Sequence, residues 1–79
     1  MSTPDIAILD ARDLQCPWPV LKARKRLLML APGAVLQVEA TDPMSAIDIP
    51  HFCAEAGHAL IAQTVENGIY RFVIRRGER

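Results

Sequence analysis

The stretch HALIAQTVENGIYRFVIR, His58 to Arg75, decides the fold. Asn67-Gly68 near its centre is the strongest short hairpin signal, because a type I′ turn needs positive φ at both central residues and these two accept it at least cost. The flanking runs, HALIAQTVE and IYRFVIR, therefore read as two antiparallel strands. In the second run Tyr70, Phe72 and Ile74 point one way and Arg71, Val73 and Arg75 the other, so that strand has one covered face and one wet face. The cover has to come from earlier in the chain.

Working back toward the N-terminus, Gly57 closes a helix that begins at TDP, with Thr41 or Asp42 as cap and Pro43 in the first turn. Pro50 falls inside that helix, which predicts either a kink near Ile49 or a short turn restarting with Asp48 as its cap. AVLQVEA, Ala34 to Ala40, alternates enough to be a strand. From Pro17 to about Ala31 the pattern is helical: at roughly 100° per residue, Val20, Leu21, Ala23, Leu27, Leu28 and Leu30 gather on one side. Pro17 suits the first helical position, and APG at Ala31 to Gly33 supplies the stop. IAILDA, Ile6 to Ala11, is short, β-branched and bounded by Pro4 and the polar Asp10 to Asp13 segment, and reads as the first strand.

The order is thus β-α-β-α-β-β. Right-handed crossovers put both helices on one face of a four-stranded mixed sheet, an α/β (α+β) two-layer sandwich. Inserting the fourth strand between the second and third, antiparallel to both, gives strand order 1-2-4-3. At 79 residues the chain is read as a single domain, 1–79, close to the lower limit for a core without disulfides or metals. A composition 51% hydrophobic and 23% charged excludes a disordered or fibrous chain.

No basic n-region precedes an apolar run at the N-terminus, and no stretch of about 18 apolar residues is present. A soluble cytoplasmic protein without a membrane partner is expected, and its two cysteines read as free thiols. Formal net charge is zero, but no Lys or Arg lies between Leu27 and Tyr70, where Glu39, Asp42, Asp48, Glu55 and Glu66 fall. Positive charge collects in Lys22, Arg24, Lys25 and Arg26 and again in Arg71, Arg75, Arg76 and Arg79. Such a dipolar surface suits steering toward an acidic protein partner. A neutral chain does not predict direct nucleic-acid binding. A monomer is expected.

LQCPWPVLKARKR, Leu14 to Arg26, carries the chemistry. Cys16 is expected at the N-cap of the first helix, where free N–H groups and the helix dipole lower a thiol pKa. Pro17 and Pro19 stiffen the helix start and leave the N–H groups of Trp18 and Val20 to face the sulfur. The chain has no Cys-x-x-Cys, so dithiol exchange lacks its second sulfur. His51 and His58 form no recognisable nucleophile–base arrangement with the thiol. His51, Cys53 and His58 do not have a usual zinc spacing, so neither a metal nor a cofactor is expected. Cys53, amid apolar neighbours, reads as a buried structural thiol.

These features fit a group carrier, which needs an accessible nucleophile and a docking face while its partners hold the catalytic machinery. The docking face is assigned to Trp18, Lys22, Lys25, Arg26 and Met29, on or beside one stripe of the first helix that begins next to the sulfur. Arg24 falls by angle within the apolar face and is expected to snorkel. The alternative is a non-catalytic regulatory module that binds protein or RNA through the basic helix.

LDARDLQCPWPVLKARKRL, followed by PG, TDP, DIPHFC and YRFVIRR, resembles the TusA/SirA family of sulfur carrier proteins, whose signature is Cys-Pro-x-Pro at the start of the first helix. The resemblance spans about Ile6 to Arg76. It implies a two-layer fold similar to the C-terminal domain of translation initiation factor three. It also implies a sulfurtransferase in which Cys16 carries sulfane sulfur as a persulfide, received from a PLP-dependent cysteine desulfurase and handed to a DsrE-like acceptor complex. In the best-known branch the relay ends in tRNA 2-thiouridine; other branches serve sulfur oxidation, molybdenum-cofactor or selenium metabolism. Asp13 departs from the pattern, since many members have glycine there.

Overall fold

A computed structural model describes residues 6–78. Pro4 and Arg79, both used in the sequence reading, lie outside the described residues. The elements are β1 (Ile6–Ala11), α1 (Trp18–Leu28), β2 (Val35–Ala40), α2 (Ser45–Ala56), β3 (Ala59–Glu66) and β4 (Ile69–Arg75). They build one mixed sheet in the order β1-β2-β4-β3, as expected. β1 runs parallel to β2, with Ile6 opposite Val35, and β4 lies antiparallel to both β2 and β3.

Alternation along the strands sends one residue set to the helices. Leu9 and Ala11 of β1, Leu36, Val38 and Ala40 of β2, and Phe72 and Ile74 of β4 form one core with Ala23 and Leu27 of α1 and Ile49 and Cys53 of α2. Both helices therefore cover the same sheet face. The hairpin turn has Asn67 at φ 54° and Gly68 at φ 78°, the two positive values a type I′ turn requires.

Four local expectations need correction. First, α1 ends at Leu28 rather than near Ala31. Second, its buried stripe is narrower than the periodicity implied: Pro19, Ala23 and Leu27 are buried and Val20 and Leu30 half-buried, whereas Leu21 and Leu28 remain exposed. Spacing of four keeps one row of side chains against the sheet and leaves its neighbours on the flanks.

Third, α2 passes through Pro50 without interruption, and Asp48 caps nothing. Pro50 has no N–H for the carbonyl of Ala46, and the Gln63 side-chain amide donates to that carbonyl from β3 at 3.4 Å. A bulge between Leu60 and Ala62 shifts the register so that Gln63 stands opposite Phe72 on the helix face. Fourth, neither Thr41 nor Asp42 is the N-cap of α2, which is Met44. Asp42 stabilises the preceding turn instead, its carboxylate accepting from the Met44 N–H at 3.0 Å and its carbonyl from the Ser45 hydroxyl at 2.6 Å. Gly57 ends α2 at φ 81°, a left-handed C-cap.

Candidate functional site

β1 and β2 are parallel neighbours, so the loops leaving their C-terminal ends lie side by side, the usual place for a site in such sheets. Here they enclose an open cleft of ≈ 500 Å³ lined by Asp13, Leu14, Gln15, Cys16, Thr41, Asp42 and Pro43. Three bonds tie the first loop to the second loop and α2. The Asp13 N–H donates to Thr41 Oγ1 at 2.8 Å, the Cys16 N–H donates to Asp42 Oδ2 at 2.7 Å, and the Cys16 thiol donates to Asp48 Oδ2. Asp13 reaches this geometry at φ 68°, a left-handed conformation that aspartate tolerates better than most residues.

Cys16 is exposed and Cys53 is buried, both as free thiols. The N-cap of α1, however, is Pro17, joined to Cys16 by a cis peptide bond, so Cys16 stands one residue outside the helix. The Trp18 N–H is committed to the Gln15 carbonyl at 2.8 Å and does not serve the sulfur. Pro19, expected as a helix-start support, is also a fully buried core side chain.

The expected lowering of the thiol pKa is reversed. The hydrogen bond to Asp48 pushes the Cys16 thiol above its ordinary value, helped by desolvation and by the negative charges of Asp48 and Asp42. A carboxylate that accepts the S–H favours the protonated form. Asp42 itself is held below the usual carboxylate range by the N–H groups of Cys16 and Met44.

Trp18 at the start of α1 is 56% exposed and Met29 at its C-cap 73%, with Lys22 and Lys25 exposed between them at helical spacing. The expected stripe exists as a surface, and Arg26 is half-buried beside it. Arg24 is exposed. It lines a second groove, ≈ 370 Å³, between α1 and α2 with Pro17, Leu21, Asp48, His51 and Phe52. His51 lies 3.4 Å from Glu55 on the surface of α2, and the His58 ring packs tilted against Phe52 with ring centroids 5.5 Å apart. Among the described residues, no group of three or more His, Cys, Asp or Glu side chains is arranged to hold a metal ion.

The family profile described as Sulfurtransferase TusA matches residues 7–76, nearly the whole chain. The chain belongs to the TusA family. It is 47% identical over 76 residues to the "Sulfur carrier protein TusA" of Pseudomonas paraeruginosa, covering 96% of each chain, and 49% identical over 70 residues to that of Pseudomonas aeruginosa, covering 89% of each. A SirA-like protein from Desulfitobacterium hafniense superposes with a TM-score of 0.80 at 28% identity, covering 94% of this chain and 100% of the other.

Sequence reasoning missed Asp42 as the acceptor of the Cys16 N–H and Asp48 as the acceptor of its thiol. Both were visible only as capping candidates. The nearest signal is the TusA-like DIP triplet that begins at Asp48, but nothing in its spacing tells that it reaches back to Cys16.

Proposed function

We propose that this protein is a sulfur carrier that holds sulfane sulfur on Cys16 as a persulfide. The observation that carries the reading is the exposed Cys16 thiol, set in an open cleft just before a helix whose Trp18, Lys22 and Lys25 are exposed, in a chain of the TusA family. The names of its relatives point the same way. The chain acts as one carrier domain, as a monomer in the cytoplasm, and is a sulfurtransferase that depends on partner enzymes.

The donor is a cysteine desulfurase bearing a persulfide. Cys16 loses its proton and its sulfur bonds to the outer sulfur of that persulfide; the donor S–S bond breaks, and the electron pair leaves on the donor's inner sulfur, which takes up a proton. The products are a donor thiol and a Cys16 persulfide, with no net oxidation. The same step, with Cys16 as leaving group, hands the sulfur to a DsrE-like acceptor on the way to tRNA 2-thiouridine. Trp18, Lys22, Lys25 and Met29 dock both partners, so loading and unloading are sequential.

Incubation with a cysteine desulfurase and cysteine, followed by intact mass measurement, tests the reading. A gain of one sulfur atom is expected. No gain would overturn it in favour of a non-catalytic binding module built on the same basic helix.

A further inference from the structure

Asp48 belongs to α2 and Cys16 to the loop before α1, yet the carboxylate accepts a hydrogen bond from the thiol across a separation of 32 residues. The charges around this pair are asymmetric. Asp13 and Asp42 line the cleft on one side of the sulfur, while Asp48 faces the groove between the helices together with Arg24, His51 and Glu55. After Cys16 the first cation along the chain is Lys22, already on the outer stripe of α1, and before it Arg12 is engaged with Asp10 at 2.9 Å. Thus Asp13 and Asp42 line the cleft with the sulfur and Asp48 bonds it, while Arg12 of the same loop is paired with Asp10 and Arg24 shares the second groove with Asp48.

We infer that Asp48 is a positioning residue that holds Cys16 as a protonated thiol in the free protein, and that neutralising this carboxylate, as a cationic side chain of a docked sulfur donor would, releases the thiolate. The inference rests on Cys16 being the sulfur-carrying atom. Only the thiolate is a nucleophile, so a thiol bonded to a carboxylate is quiet toward stray electrophiles and oxidants. A cation paired with Asp48 removes the charge that favours the thiol and adds one that favours the thiolate. A donor matching this site would therefore carry a guanidinium or ammonium group facing Asp48 and acidic groups facing Lys22 and Lys25.

The test is the alkylation rate of Cys16 by iodoacetamide in the full chain, resolved by peptide mass spectrometry and followed against pH, for the wild type, Asp48→Asn and Asp48→Glu. The wild-type midpoint should lie above that of free cysteine. Asp48→Asn should lower it: a fall of about one unit raises the thiolate fraction about tenfold below the midpoint. Reduced nucleophilicity takes back part of that, leaving a net gain of about threefold at neutral pH. Asp48→Glu keeps the charge and should stay near the wild type. A wild-type midpoint at or below the free-cysteine value overturns the inference without any variant. A folded Asp48→Asn whose profile coincides with the wild type overturns it as well. Alkylation needs neither donor nor sulfur, so these outcomes are separate from whether Cys16 carries a persulfide.

Discussion

Cys53 is 2% exposed and lies in the core between the helices and the sheet, and burial pushes its thiol up to about 11 from an ordinary 9.0. For an acid whose folded pKa is raised, the fold favours the protonated form. That stabilisation is complete below about pH 9, where the unfolded chain is also protonated, and is lost as pH rises toward 11. Urea unfolding followed against pH should therefore show stability falling across this window. Cys53→Ser should flatten the fall while lowering stability at neutral pH by about 1–3 kcal/mol, because a hydroxyl is buried in the apolar core. An alkaline slope identical in both proteins would show that another group titrates there. Cys16 as the exposed thiol and Cys53 as the buried one were both legible from their neighbours in sequence. The electrostatics of Cys16 were not, because the helix-dipole argument is local and the deciding carboxylate arrives from a different element.

The strands, both helices and the hairpin could be read from periodicity and turn chemistry, since each depends on residues close in sequence. Ile6–Ala11 is reproduced residue for residue, and Gly57 and Asn67-Gly68 stand where the backbone turns left-handed. The continuity of α2 through Pro50 was not legible. The carbonyl that Pro50 leaves free at Ala46 is met by Gln63, which is brought opposite Phe72 by the bulge at Leu60/Ala62. The C-terminal segment after β4 has a similar long-range origin. The Gly77 N–H donates to His58 Nδ1 at 2.9 Å, and a Cβ at position 77 would fall on the carbonyl oxygen of Gly57. Gly77→Ala should destabilise the protein by about 1–3 kcal/mol, since one backbone must move away from the other. Chemical denaturation checks this, and an unchanged midpoint would mean that the two segments do not press together. Burial and Arg76 also hold His58 below the usual imidazole range, so its acceptor nitrogen stays available at neutral pH.

At the scale of the molecule, exposed Lys22 and Lys25 lie on the helix that begins beside Cys16, while Asp42 lines the cleft with it and Asp48 accepts its hydrogen bond. Steering by such a surface is an encounter effect, strong at low ionic strength and screened beyond about 10 Å at 0.1 M salt. Reversing Lys22 and Lys25 to Glu should slow sulfur loading by a desulfurase at least several-fold at low salt, converge with the wild type at high salt, and leave thermal stability unchanged because both side chains are exposed. Equal loading rates at low salt would detach the stripe from docking. The proposal that sulfur rides on Cys16 has a more direct test. It is tested by loading the protein with a desulfurase and cysteine and locating the added sulfur by tandem mass spectrometry in the wild type, Cys16→Ser and Cys53→Ser. One sulfur is expected on the Cys16 peptide of the wild type and of Cys53→Ser, and none on Cys16→Ser. Sulfur on Cys53, or undiminished loading of Cys16→Ser, would contradict it.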